Sequence, residues 1–281
     1  MNNMNLKQHK KIKGIICYFS TTGNTAHLAY CLSSYLSDFP IELCDMSVNP
    51  TPNPLHYDFF GFASPVEFFG LPPKVLDWIK SIPVISKPRY AFIMLTHSSI
   101  SGTAMIQFKE LLQARNFNII AGHTLKCPES YPPLRSKGFT FSNAPGPGSL
   151  KRFLMFAKIL KDLLHSASEG RVILEAKFRL SFINYFFSPP GRNIAHHVMG
   201  FKYLDAKQCV QCGLCARDCP YSAIHMMEYP KFDETHCKGC WKCYNRCPAE
   251  AIYTSYLKGK GHYQETSESF KNKISKILSL K

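Results

Sequence analysis

Gly14-Ile-Ile-Cys-Tyr-Phe19 runs directly into Ser20-Thr21-Thr22-Gly23-Asn24-Thr25, and residues 26–36 follow with apolar side chains at helical spacing. The first six residues form a short apolar run, the pattern of a strand buried on both faces of a parallel sheet. A hydroxyl-rich loop with a glycine, feeding a helix N-terminus, makes a phosphate cradle. Backbone N–H groups, side-chain hydroxyls and the helix dipole all converge on one anion. A simple helix cap would explain one or two of these residues but not the full set. The alternation continues downstream, with strands predicted at 41–44, 59–63, 90–95 and 117–122 and helices at 74–82, 104–113 and 150–164. Strands alternating with helices at this spacing predict an α/β fold, a doubly wound parallel sheet.

The loop lacks the lysine of a Walker motif, and a phosphate held without lysine fits FMN better than a nucleoside triphosphate. The segment resembles the flavodoxin fingerprint, [ST]-x-T-G-x-T after the first strand, and matches it at each defined position. In such a sheet ligands sit beyond the carboxyl ends of the strands. Two loops occupy that edge: Ser64-Pro65-Val66-Glu67-Phe68-Phe69-Gly70 and Thr96-His97-Ser98-Ser99-Ile100-Ser101-Gly102. The resemblance implies that they sandwich an isoalloxazine, with Phe68 or Phe69 stacked on the ring and the backbone of 96–102 against its polar edge. An aromatic pair is also ordinary core material. His97 has two readings, a proton donor to the flavin or a loop histidine in solvent. Cys17, Cys31 and Cys44 fall in strand or helix contexts where a small buried side chain suffices, and Cys127 is expected near the site. Residues 124–148, rich in proline, are expected to form a loop over the flavin edge.

Toward the C-terminus, Cys209-Val-Gln-Cys212-Gly-Leu-Cys215-Ala-Arg-Asp-Cys219-Pro220 recurs 28 residues later as Cys237-Lys-Gly-Cys240-Trp-Lys-Cys243-Tyr-Asn-Arg-Cys247-Pro248. Asp205 pairs with Asp233 and Ala223-Ile224 with Ala251-Ile252, so the duplicated unit is a whole supersecondary element. Zinc ribbons also use C-x2-C pairs, but zinc has no use for a third evenly spaced thiolate and a Cys-Pro in each copy. The pattern resembles that of the bacterial two-cluster ferredoxins, in which the fourth cysteine of each run ligates the other cluster. That resemblance implies two [4Fe–4S] clusters: one on Cys209, Cys212, Cys215 and Cys247, the other on Cys237, Cys240, Cys243 and Cys219. Gly213 and Gly239 leave room for backbone N–H groups near the sulfides.

The chain has 281 residues, 45% of them hydrophobic, which sets an expectation of two domains. Its first 13 residues are polar and basic, without an export signal, so the chain is expected in the cytoplasm. Twelve cysteines, eight of them between positions 209 and 247, then mean metal chemistry before disulfides. Formal charge is +5 over residues 1–147, +6 over 148–202, zero over 203–256 and +4 thereafter. No nucleic-acid motif accompanies it, so nucleic acid is not an expected partner. The zero-charge module becomes acidic once loaded with clusters, and the basic stretch, including Arg171, Lys177 and Arg179, is expected partly to dock it.

The expected organisation is a flavodoxin-like FMN-binding domain at 1–168, a basic aromatic connector at 169–202, an α+β ferredoxin-like domain with two [4Fe–4S] clusters at 203–256, and a basic tail at 257–281. The tail reads as a helix with an apolar stripe of Phe270, Ile274, Ile277 and Leu278. Contact of the connector with a membrane surface is considered but core packing is favoured. The arrangement resembles the EFR-type flavodoxin–ferredoxin fusions, found mainly in anaerobes. It implies electron transfer with redox partner proteins. The alternatives are an FMN-dependent reductase of a small-molecule acceptor and a redox-sensing interaction protein. No GxGxxG follows a strand, so a built-in NAD(P)H domain is not expected.

Overall fold

The computed structural model describes residues 11–179, 182–187, 189 and 197–280. Five strands, β1 (Gly14–Tyr18), β2 (Ile41–Asp45), β3 (Phe59–Pro65), β4 (Arg89–His97) and β5 (Phe117–Lys126), pair in parallel in the order β2-β1-β3-β4-β5. This is the flavodoxin-like doubly wound order, and its switch point between β1 and β3 opens a crevice at the strands' carboxyl ends. Helices α1 (Asn24–Tyr35), α2 (Pro73–Lys80), α3 (Ala104–Gln113) and α5 (Pro147–Ser168) cover the sheet, with a single turn α4 (Pro132–Arg135) before α5.

Successive side chains of a strand point to opposite faces, and the sequence uses this alternation to fill two cores. Ile16, Phe59, Ala63, Phe92 and Met94 meet α1 and α5 on one face. Ile15, Cys17, Phe60, Phe62, Ile93 and Leu95 meet α2 and α3 on the other. Each such side chain taken fully out of water contributes roughly 1.5–3 kcal/mol. The first core has a further member. The C-terminal helix (Glu268–Ser279), capped by Ser267 Oγ accepting the Phe270 N–H at 3.3 Å, buries Phe270, Ile274 and Leu278 there. The apolar stripe of the tail is thus covered by the first domain.

β5 runs four residues past its predicted end, and α5 begins at Pro147. The loop expected at 124–148 is therefore shortened to 127–146, with α4 inside it. Residues 171–178 lie along β5: the Ala176 N–H donates to Ile119 O at 2.7 Å, and the Phe178 ring fills the space above Gly122. These bonds hold Arg171, Lys177 and Arg179 on the β5 side of the sheet, which corrects the expectation that they dock the cluster module; Arg171 instead meets Glu169. The connector positions 180–181, 188 and 190–196 lie outside the described residues. Among the described residues no helix is long and apolar enough to cross a membrane.

In the cysteine module, β6 (Tyr203–Leu204) pairs antiparallel with β9 (Ile252–Tyr253), and β7 (Ile224–Met226) with β8 (Pro230–Phe232). The duplication is visible in the backbone. The Asp205 N–H donates to Ala251 O and the Asp233 N–H to Ala223 O, both at 2.8 Å. Left-handed φ values recur as pairs: Gln211 (52°) with Gly239 (69°), Gly213 (70°) with Trp241 (60°), and Ser222 (50°) with Glu250 (50°). The module's own core is small, built on Met199, Trp241, Tyr244, Ile252 and Leu257, with Phe68 and Tyr131 of the first domain packed against it.

Candidate functional site

Cys209, Cys212, Cys215 and Cys247 line a cavity of about 360 Å3. Cys219, Cys237, Cys240 and Cys243 line a second, also about 360 Å3. Each takes three cysteines from one copy of the repeat and its fourth from the other. Among the described residues no three Cys, His, Asp or Glu side chains converge on a point that would hold a single ion; the thiols ring a space instead. Backbone N–H groups already aim at sulfur: Ala223 donates to Cys219 Sγ and Ala251 to Cys247 Sγ, each at 3.3 Å. Burial pushes the Cys215 thiol up to about 11 and Cys243 up to about 12. Thiols held up in this way become thiolates only beside a strongly positive group. Iron–sulfur clusters are such a group, and the donor set fits them.

The two seats differ in charge. Lys202 and Lys242 line the second, where Pro230 and Leu214 occupy the equivalent repeat positions in the first. Lys202 is 3% exposed; its Nζ donates to Gly200 O at 2.7 Å and Met199 O at 3.3 Å and sits 3.9 Å from the Trp241 ring centroid.

At the sheet's crevice, Ser20, Thr21, Thr22, Asn24, Thr25, Pro65, Val66, Thr96, His97 and Ser98 line a cavity of about 400 Å3. Gly23 stands behind it as the residue before α1, at φ +103°, and no side chain caps that helix. The Thr25 and Thr96 hydroxyls are 2.7 Å apart and tie the two loops together. Glu129 is the lone carboxylate on the wall, and it is occupied by Ser98 Oγ (2.5 Å) and by the N–H groups of Ser130 (2.8 Å) and Tyr131 (2.9 Å). A ring of hydroxyls and an uncapped helix N-terminus, with its carboxylate already satisfied, fits a phosphate. The tail closes this loop from outside: Tyr263 Oη donates to Asn24 Oδ1 at 2.8 Å and Thr266 Oγ1 to Thr22 O at 3.3 Å. Nothing in the tail's composition signals that contact.

A wider cavity of about 930 Å3 adjoins it, sharing Thr21, Pro65, Val66, His97, Ser98, Glu129 and Ser130. Phe68 and Phe69 both reach it. They form a tight two-residue turn, closed by Glu67 and Gly70 exchanging backbone bonds at 3.0 and 3.1 Å, with φ +49° and +68°. Left-handed φ at two phenylalanines costs on the order of 1–3 kcal/mol each. Phe68 offsets it by packing into the module's core and Phe69 by packing on Phe187, 4.9 Å away. Ser64 and Gly102 do not line either cavity: Ser64 Oγ donates to Pro65 O, and Gly102 lies under the carbonyls of Phe69 and Phe187. Gly70 lies outside both as well, against Pro189 and Gln107. His97 lines both cavities, and burial, then the Lys126 charge, push its pKa down to about 4. That corrects the reading of a solvated loop histidine, since its imidazole is buried and neutral at pH 7. Cys127, fully buried, also borders the narrower cavity.

The segment expected over the flavin edge supplies Tyr131 and Leu134, whereas sequence reasoning missed the other residues that close the wider cavity, Met199 and, from the cysteine module, Gly239, Cys240 and Trp241. Tyr131 and Trp241 meet edge to face at 5.7 Å. Asn245 Nδ2 donates to Ser130 O at 2.9 Å and Arg135 reaches the carbonyls of Gly261 and His262. Trp241 was the available signal, a large aromatic where the first repeat has Gly213.

Residues 201–248 match the 4Fe-4S dicluster domain family. Among curated proteins none matches the chain. Similar solved structures include a flavodoxin from the domain Archaea (14% identity, 56% of this chain and 99% of that one, TM-score 0.40). Others are flavodoxin 1 of Bacillus cereus (21%, 42% and 86%, 0.34) and a flavoprotein of Lactobacillus acidophilus in complex with FMN (17%, 40% and 93%, 0.33). An iron–sulfur electron-transfer domain thus follows a five-stranded parallel sheet of flavodoxin order, the organisation of a flavodoxin–ferredoxin fusion.

Proposed function

We propose that this chain transfers electrons between redox partner proteins with two [4Fe–4S] clusters and one FMN, in a reducing cytoplasm that keeps the eight cysteines between positions 209 and 247 free for metal. Clusters exchange electrons singly while FMN exchanges one or two, so together they connect one-electron with two-electron partners. In this reading Cys209, Cys212, Cys215 and Cys247 hold one cluster, and Cys219, Cys237, Cys240 and Cys243 the other. Ser20, Thr21, Thr22, Thr25 and the N-terminus of α1 hold the FMN phosphate. Phe68 and Phe69 flank the ring, and Thr96, His97 and Ser98 meet its polar edge. Residues 1–168 and the tail then act as the flavin unit and 203–256 as the cluster unit.

The observation that carries this reading is contiguity. Gly239, Cys240 and Trp241 border the second cluster seat and the flavin cleft at once, whereas the first seat shares no lining residue with the cleft. Two redox groups separated by one shared wall are suited to direct electron exchange. The second reading, reduction of a small acceptor at the flavin, draws on the size of that cleft, about 930 Å3 with its open mouth included.

Anaerobic purification with iron, sulfide and flavin measured per chain, followed by reductive titration, tests the proposal. About eight iron and one FMN are expected. Zinc in place of iron, or no flavin, overturns it. Turnover of a small acceptor by reduced holoprotein without a partner selects the reductase.

A further inference from the structure

A third cavity, about 1310 Å3 with its open mouth included, lies between β5, the start of α5 and the segment along β5. It shares His97 with the flavin cleft and no residue with either cluster seat. Lys126, Arg152, Lys177 and Arg179 stand around it, and among the described residues no aspartate or glutamate lines it. Among the described residues none of these four cations is ion-paired to a carboxylate, whereas neighbouring Lys109 and Arg171 pair with Glu175 and Glu169. Four like charges around one space repel each other, and a protein surface ordinarily relieves this with interspersed acids.

The cavity wall adds imidazole groups. His97 and His123 both line it, and His123 Nε2 is buried with no hydrogen-bond partner among the described residues. Burial first, and then Lys126 for His97 and Arg152 for His123, push both histidines down to about 4, so each imidazole is neutral and sits in a positive field. Gly146 and Ser149, at the start of the 22-residue α5, also line the cavity, and no side chain caps that helix. Its dipole points the same sign at the same space.

We propose that this cavity binds a small oxyanion of charge two or more, a phosphate monoester or a dicarboxylate. The site shares His97 with the Ser20–Thr25 phosphate cradle but differs from it in charge, since among the described residues no lysine or arginine lines the cradle. Four uncompensated cations and a helix N-terminus offer more positive charge than a monoanion neutralises, so the charge of the ligand sets its affinity. The inference does not depend on the electron-transfer reading.

Calorimetric titration of the full chain, saturated with FMN so that the cradle is filled, tests it. Inorganic phosphate, succinate and acetate serve as probes at constant ionic strength. We expect saturable one-to-one binding of phosphate or succinate, at least tenfold tighter than acetate, and the better of the two identifies the ligand chemistry. The exposed pair Arg152→Glu and Lys177→Glu should weaken binding at least tenfold with iron and flavin content unchanged; the milder Lys177→Gln should give a smaller loss. Absence of saturable binding for both dianions, equal affinity for acetate, or unchanged binding in the charge-reversed chain overturns the proposal.

Discussion

Replacing Lys202 with methionine keeps the volume of the side chain and removes a buried charge from the wall of the second cluster seat. Its ammonium is fixed by two carbonyls and the face of Trp241, so it cannot swing into water. Burial works against its charge, and the thiolates of Cys243, Cys237 and Cys240 work for it. A cluster gains one negative charge on reduction, and a nearby cation stabilises that form more than the oxidised one. At an effective dielectric of about 20, two unit charges some 8 Å apart interact by about 2 kcal/mol. For a one-electron couple 59 mV corresponds to a tenfold change in equilibrium constant, about 1.4 kcal/mol, so losing Lys202 should lower one midpoint potential by roughly 50–90 mV. The first seat carries Pro230 at the equivalent position, and its potential should stay within about 20 mV, a shift of about 0.5 kcal/mol. Glu67 opposes the lysine from the flavin side, so the readout is the change on mutation rather than the difference between the two clusters. Redox titration followed by electron paramagnetic resonance resolves the couples once iron content is matched. Equal movement of both potentials, or no movement, refutes the electrostatic argument.

Stability should fall as pH drops from about 6.5 to about 4. His97 and His123 bind protons less readily folded, near 4, than unfolded, near 6.5, so the unfolded chain takes up protons first and each contributes a slope of up to about 1.4 kcal/mol per pH unit. Urea midpoints across that window should lose part of the slope in His123→Phe, and an unchanged slope would contradict the assignment. Gly102→Ala sets a Cβ 2.4 Å from Phe69 O and 2.6 Å from Phe187 O at φ +54°. Flavin affinity should drop, with about 1–3 kcal/mol of stability, while iron content holds; fluorescence titration with FMN checks it. Phe270→Ala empties a fully buried site between the C-terminal helix and α1 and should cost about 3–5 kcal/mol in thermal unfolding. A loss under 1 kcal/mol would mean that the tail is not part of that core.

Spacing alone determined a good deal of this protein. Short apolar runs alternating with helical periods located the sheet and its order-reversing crevice, because burial on two faces leaves a local imprint on every strand. Two matching runs of four cysteines fixed the duplicated module for the same reason, since ligand geometry is written in the distance between neighbours. The left-handed turns that repeat at 211/239, 213/241 and 222/250 follow from that duplication. What lay beyond reach was decided by contacts between segments far apart in the chain. Neither the packing of Phe68 against the module's core around Trp241 nor the closure of the phosphate loop by Tyr263 and Thr266 has a periodic signature. Arg171, Lys177 and Arg179 had charge enough to suit the cluster module, yet the Ala176 bond to Ile119 and the packing of Phe178 over Gly122 held them on β5, and of that basic stretch Lys202 reaches a cluster seat. Net charge carries no direction, whereas a backbone hydrogen bond and a filled space do. His97 and Lys202 differ from their solvated counterparts only by burial, and burial exists only once the chain has folded.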